Sequence, residues 1–541
     1  MPFSWYPVPS FGGGLNLGAD ALSIQDDQWS GCHAFYPQQD QAQTAGKFLR
    51  VATGGQWQYP GSATAMVIGW VPDLIRTDYP GMLCFYTDNP TLPGSGVVGK
   101  RLYFNVASSV PNPNFHALPQ SGTGHVAPDL FSYMPPPMTT CVVAGQQLVM
   151  IGTPYASGDS GAFKYVGDDT LYTLNGVSGR HSCAASGHAI IGAVANDATN
   201  LRTIKISDAG DISSWTPDIS NSADYFTVDG GGQMTGLVGV SGGFIVLMQR
   251  TLQIAQSTRQ IPPFAIDGVQ SRPALGEGCL TETGAVYVTT AGLGNASGQL
   301  TAPQIASYIQ ATQAIHCLRI PAHDAVAITN GIRPEFLEVN LRTDRAWRHQ
   351  LPFAIYGNPF PTRPVVAHGT LIMGSPRPGD LQSSLGAPTP VAHTVMDILT
   401  GDVWWQVDDS QPEANAYVDS KDFAFGSSGQ PVNNVSGAMV SYVDRLKVQW
   451  ESSATGALDV WVAVRNHLGR ETGAALPWQE DTTQTLTWTQ VGTLTAGLSE
   501  LPLRLKGKFY RFRFAVSNGQ PLRIRGFAIR AQPTADLRAA A

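Results

Sequence analysis

Ser160, within Gly158-Asp159-Ser160-Gly161, is the residue whose setting most suggests a nucleophile. A serine hydroxyl attacks an acyl carbon only when a histidine takes its proton and an acidic side chain orients that histidine. The histidines upstream, His33, His116 and His125, sit in unrelated surroundings. Gly, Asp and Ser side by side are also turn residues, so a hairpin turn is expected here. Metal ligation has no better start, because neither an HExxH pair nor an EF-hand loop is present. Asp229-Gly230-Gly231-Gly232 lacks the Lys-Ser/Thr and helix of a phosphate-cradling loop and reads as a turn. The six cysteines, Cys32, Cys84, Cys141, Cys183, Cys279 and Cys317, are scattered without a CxxC. That spacing fits buried free thiols in a reducing compartment better than a disulfide framework or a zinc site. No catalytic residue, cofactor or metal is expected, and the chain is read as non-enzymatic.

The densest chemistry of one kind is cationic. Between Leu501 and Pro533 lie Arg504, Lys506, Lys508, Arg511, Arg513, Arg523, Arg525 and Arg530, with no acidic residue among them. Tyr510, Phe512 and Phe514 alternate with Arg511 and Arg513, so a strand would turn the rings inward and the guanidinium groups outward. Ile524 between Arg523 and Arg525 repeats the pattern. Such a face is either simply wet or fits an acidic partner, and nucleic acid is less favoured because the aromatics point inward. Arg511, Arg513, Arg523 and Arg525 are the candidate partner-interface residues. On this reading, reversing Arg511 and Arg513 to Glu weakens assembly and leaves folding intact. A second turn, Ser207-Asp208-Ala209-Gly210-Asp211 with Trp215 nearby, resembles the structural Asp-box of sialidase propellers. The arginine trio and tyrosine nucleophile of that chemistry are not discernible.

The elements that would position these residues are strands. Charged residues make up 13% of the 541-residue chain, about half the usual share of roughly 25%, and Gly and Pro are plentiful. Few charged helix faces and many turns would produce that balance. A net charge of −7 excludes a basic nucleic-acid coat over the whole chain. No signal peptide is visible at the N-terminus, and no run of about 18 apolar residues suggests a membrane span. Synthesis in the cytoplasm is expected.

Residues 1–137 read as an N-terminal β-rich region contributing to a propeller or to a contact platform. From 138 to 414 a loose repeat appears at 140–175, 186–216, 229–256, 276–293, 314–348 and 363–374, with spacing near that of propeller blades, about 40 to 50 residues. A blade cannot bury both faces of its own sheet, and stacked neighbours do so around an axis. Residues 302–313 read as a short helix with Pro303 in its first turn. From 415 to 541 the strands lengthen and alternate, as in a β-sandwich with one wet face. The fold class expected is all-β: a β-propeller with an extended N-terminal region and a C-terminal β-sandwich.

Three stretches carry a resemblance to a family. Phe11-Gly12-Gly13-Gly14-Leu15-Asn16-Leu17, with Leu22 and Asp26-Asp27-Gln28 after it, is similar to a "GGLN…L" opening. Asp211-Ile212-Ser213-Ser214-Trp215-Thr216 followed by Asp229-Gly230-Gly231-Gly232-Gln233-Met234-Thr235-Gly236-Leu237 resembles a "W…D-G-G-G-x-I-T-G-L" blade. Phe244 to Ile254 then matches its inner strand and turn, and Gly276-Glu277-Gly278-Cys279 the start of the next blade. These are features of the tail nozzle or tail-hub proteins of short-tailed bacteriophages, of the tail tubular protein B or packaged-DNA stabilisation type. The resemblance implies a structural virion protein, made in the host cytoplasm, whose homo-hexameric ring conducts and gates genomic DNA during ejection. It further implies an adaptor or portal and tail fibres or other tail proteins as partners, and double-stranded DNA passing through the lumen without sequence-specific binding. The alternative is a carbohydrate-binding or carbohydrate-cleaving β-propeller, such as a receptor-binding tail component. A cellular propeller scaffold fits less well, because regular WD or kelch signatures are absent.

Overall fold

A computed structural model describes residues 3–52, 181–192, 202–350 with short interruptions, 402–453, 455–466 and 486–534, together with Val177, Gly179 and the strand backbones between 64 and 174 and between 365 and 374. Among these residues seven four-stranded antiparallel sheets follow one another along the chain. They occupy 64–117, 138–174, 181–227, 234–270, 278–301 and 316–350, and a seventh combines 365–412 with Gly46–Ala52. Each of the first six runs in sequence order. In the seventh, Asp402–Pro412 pairs with Gly46–Ala52, so a strand from near the N-terminus completes the last sheet.

The first strand of each sheet packs against the first strand of the next, from Thr64–Arg76 through Met138–Val143 and onward to Val365–Ala367, which returns to Thr64–Arg76. That circuit closes a seven-bladed β-propeller. The blade logic explains the sequence texture. Middle strands such as His188–Gly192 and Gly243–Met248 are buried at every position because neighbouring blades cover both faces. The outer strands Asp224–Thr227 and Phe264–Gln270 are largely wet. This is why apolar runs, rather than alternation, mark the blades. Of the helix expected at 302–313, the described residues hold a 3-10 turn at Pro303–Ile305 and one helical turn at Ala306–Ile309, with Ile305 and Ile309 fully buried, and 310–313 lie outside the described residues.

The second unit is a sandwich of two antiparallel sheets. One holds Glu500–Gly507, Ser441–Ser452 and Leu522–Pro533, the last of which also pairs with Ser4–Val8 and Gln41–Thr44. The other holds Trp488–Thr495, Ala457–Arg465, Phe509–Val516, Tyr417–Asp419 and Gly31–His33. Here burial alternates along each long strand, as the sequence pattern requires. Residues 1–137, read from the sequence as one N-terminal region, are therefore divided. Residues 4–44 supply strands to the sandwich, Gly46–Ala52 closes the propeller, and 64–117 form the first blade. A strand shows its partner only through alternation and register, so nothing local marks which sheet it will join.

Candidate partner interface

Phe509–Val516 carries the first two candidate arginines. Tyr510, Phe512 and Phe514 are fully buried, as the alternation requires. The other side of the strand is not an open surface. Arg511 is held by Asp422 through two parallel bonds, Nε to Oδ1 at 2.8 Å and Nη2 to Oδ2 at 2.9 Å. Arg465 donates to the same carboxylate. Arg513 makes the same paired contact with Asp419, at 2.7 and 2.9 Å, with its guanidinium over the rings of Tyr417 and Trp488 at 3.8 and 4.3 Å. Planar bidentate pairs of this kind are the strong class of charged hydrogen bond. Burial pushes the Asp422 carboxyl up, but Arg511 and Arg465 overcome it and hold it below the usual carboxylate range. Burial raises Asp419, and Arg513 offsets this only in part. Arg511 and Arg513 are therefore internal ion pairs, which corrects the expectation that both could be reversed without harm to folding. Their acids lie about ninety residues upstream, out of reach of a local charge count.

Arg523 and Arg525 lie on the other sheet and face outward. Arg525 meets Glu451 at 2.6 Å, with both side chains at least half exposed. An exposed pair like this contributes at most about 1 kcal/mol. Arg523 borders a shallow cavity of about 280 Å³ with Gln43, Glu451, Ser452 and Ser453. Arg504 and Lys506 are exposed on the strand Glu500–Gly507 of the same sheet. Arg530 is tied to Asp444, Nε to Oδ1 at 2.8 Å, and lies beside the rings of Phe3 and Trp5. The cationic face available to a partner thus contracts to Arg504, Lys506, Arg523 and Arg525.

The sequence reading missed a buried polar strip. Asp419, Ser420, Lys421 and Asp422 are each at most 5% exposed, an unusual state for three charges in four residues. Lys421 Nζ reaches Asp26 Oδ1 and Asn433 Oδ1, both at 2.9 Å, and Tyr6 donates its hydroxyl to Asp26. Ser30 Oγ donates to the Ser420 carbonyl, and Ser420 Oγ accepts from Phe512 N–H. The strip fastens the N-terminal segment to the C-terminal strands. Its only local signal is four polar residues set between Tyr417-Val418 and Phe423-Ala424-Phe425.

The opening Gly-rich segment is the joint between sandwich and propeller. Phe11 is buried against Trp29, Phe514 and Phe527. Leu17 N–H donates to the Gln304 carbonyl of the fifth blade's connection, at 2.9 Å. Gly14 has φ +80, and a Cβ there would lie 2.9 Å from the Ala346 carbonyl of the sixth blade. A glycine meets both demands at once. On the blade side, Arg348 donates to the Cys32 carbonyl at 3.0 Å, Ala34 N–H donates to the Arg348 carbonyl at 3.1 Å, and Arg345 reaches the Gln39 carbonyl. Beside these, Glu338 accepts from His323 at 2.8 Å and lies 3.1 Å from His349 Nε2, and Tyr36 stacks on His323. Burial would raise the Glu338 carboxyl, but the two histidines bring it down to about 2. His33 is brought down to about 3 by burial, with His349 and Arg348 adding to the effect, so it is neutral here.

The Asp-box-like turn lies between the third and fourth strands of its blade. Asp208 Oδ1 accepts from the backbone and hydroxyl of Ser222, at 2.9 and 2.5 Å, so its carboxylate ties the loop together. Trp215 is buried and donates its indole N–H to the Ile212 carbonyl. Gly158 to Gly161 lie outside the described residues. Among the described residues no group of three or more His, Cys, Asp or Glu could hold a metal ion, and no helix is long and apolar enough to cross a membrane.

No protein-family model matches the chain, and no curated protein does. Solved structures similar to it include apo AztD from Citrobacter koseri, with TM-score 0.32 and 9% identity over 64% of this chain and 99% of that one. PorZ of the Porphyromonas gingivalis type-IX secretion system has TM-score 0.32 and 8% identity, over 60% of this chain and 36% of that one. The exo-β-1,3-galactanase of Phanerochaete chrysosporium has TM-score 0.25 and 10% identity, over 90% of this chain and 99% of that one. Likenesses this distant carry no argument about function.

Proposed function

We propose that this chain is a structural subunit of a short-tailed bacteriophage tail, a nozzle or hub protein whose copies assemble into a ring that conducts and gates genomic DNA during ejection. The observation that carries the reading is the place of its opening motif. Phe11 to Leu17, one of the stretches that carry the resemblance to that family, forms the buried joint between propeller and sandwich. A motif that serves packing rather than chemistry suits a building block. Both ends of the chain are also stitched into one sandwich, which resists opening under load. The pairing of Arg511, Arg513 and Arg530 with carboxylates supports the reading as well, since each unpaired cation facing a duplex would strengthen phosphate binding and slow its passage. The remaining outward face, with Arg523 and Arg525, is offered to an acidic surface of a neighbouring copy, an adaptor or portal, or another tail protein. Six copies per ring is what the resemblance implies.

Sedimentation velocity on the purified chain tests this. The expected result is a closed oligomer, with duplex DNA showing no sequence-dependent retention. A lasting monomer at micromolar concentration, together with binding or hydrolysis of a glycan, would favour the carbohydrate reading instead.

A further inference from the structure

The innermost strands of the fifth and sixth blades, Gly278–Thr281 and His316–Ile320, lie side by side, and each carries one cysteine. Their Sγ atoms are 3.5 Å apart although the residues are 38 positions apart in sequence. Both are free thiols, with Cys279 partly exposed and Cys317 buried. A disulfide needs a separation of about 2.05 Å, so the two sulfurs must approach by about 1.5 Å to bond. The two other cysteines with described side chains are differently placed. Cys32 is fully buried against Arg348, where burial pushes its thiol up to about 12, and Cys183 is buried in the third blade.

We propose that Cys279 and Cys317 form a redox-controlled modification site, at which a small-molecule disulfide such as oxidised glutathione converts the thiol pair into a staple between the fifth and sixth blades. Cys279 is the accessible member and attacks first. Its sulfur bonds to one sulfur of the small disulfide, and the other sulfur leaves as a thiol carrying the Cys279 proton. Cys317 then attacks the Cys279 sulfur of the mixed disulfide, and the second small thiol leaves with the Cys317 proton. The protein loses two hydrogens, and one small disulfide becomes two thiols. The order follows from access. Cys317 is buried, and its thiol is raised well above the ordinary range by the hydrogen bond with Cys279 and by burial, with Glu277 adding to the effect, so it does not react with a bulky disulfide directly. The product adds a covalent link between two blades that otherwise meet by packing, hydrogen bonding and the Arg319–Glu282 ion pair at 2.6 Å. The inference stands whether or not the chain is a tail protein.

The test is incubation of the full chain with oxidised glutathione, alkylation of the remaining thiols, digestion and mass spectrometry, with thermal unfolding in parallel. The wild type is expected to lose two of its six thiols, to yield a peptide joining Cys279 to Cys317, and to unfold at a higher temperature until a thiol reductant restores the original midpoint. Cys317→Ser should stop at a glutathione adduct on Cys279, and Cys279→Ser should leave Cys317 unmodified. A wild type that keeps glutathione on Cys279 without the joined peptide, pairs other cysteines, or loses no thiols overturns the proposal. An adduct on Cys317 in Cys279→Ser overturns the order of attack.

Discussion

At the residue scale, the arginines between Leu501 and Pro533 divide into charges that hold the fold, Arg511 and Arg513, and charges that face outward, Arg504, Arg523 and Arg525. The sequence reading placed the aromatics and arginines on opposite sides of the strand Phe509–Val516, and they are there. What it lacked was the acids, because Asp419 and Asp422 arrive from another strand. Breaking a buried, bidentate pair leaves the partner charge uncompensated and costs about 3–5 kcal/mol. Arg511→Glu, which sets a carboxylate against Asp422, whose side chain is 2% exposed, should lower the denaturant midpoint of the sandwich steeply. Arg525→Glu, at an exposed pair, should lower that midpoint by no more than about 1 kcal/mol while reducing the oligomeric fraction. Equal losses of stability in both variants would refute the division. His33 supplies a pH dependence. Its pKa falls from 6.5 to about 3 on folding, so the unfolded chain binds the proton more readily within that window. Its contribution is complete above pH 6.5 and lost as pH falls toward 3, about 3 kcal/mol by pH 4. Urea midpoints between pH 7 and pH 4 should fall in the wild type and fall less in His33→Gln. Glu338 acts in a separate window, with stability present above 4.5 and lost toward about 2.

At the scale of elements, the blades were the legible part. Gly243–Met248 and Gly284–Thr289 stand out as apolar runs because stacked blades cover both their faces. The long strands of the sandwich stand out by alternation. The partnering of the N-terminal segment was not legible. Ser4–Val8 and Gln41–Thr44 are short, and their pairing with Leu522–Pro533 spans nearly the whole chain. Nor did Gly12-Gly13-Gly14 announce a joint, since glycine runs most often mark turns. The structure gives that run its reason at Gly14, where a positive φ and the approach of Ala346 coincide. Gly14→Ala should therefore cost roughly 1–3 kcal/mol from backbone strain alone, and more from the clash. Hydrogen exchange should show the loss concentrated at Leu15–Leu17 and the outer strand of the sixth blade. Uniform loosening, or none, would mean that the joint adapts.

At the scale of the molecule, a seven-bladed ring is closed once by Gly46–Ala52 and clasped again by a sandwich built from both ends of the chain. The all-β class and the propeller-plus-sandwich plan followed from texture alone, because period and composition are properties a sequence displays directly. Blade number did not follow, since the first blade lies inside the stretch read as an N-terminal region and the last borrows a distant strand. The approach of Cys279 to Cys317 was likewise hidden by scattered spacing, and only the stacking of blades brings them together. The central claim is that this compact unit is a subunit of a larger ring with a hole on its axis. Negative-stain imaging of the purified full chain tests that most directly. Class averages showing closed rings of several copies around a central opening are the expected result, and uniform single particles of one propeller with one sandwich at every concentration examined would contradict it.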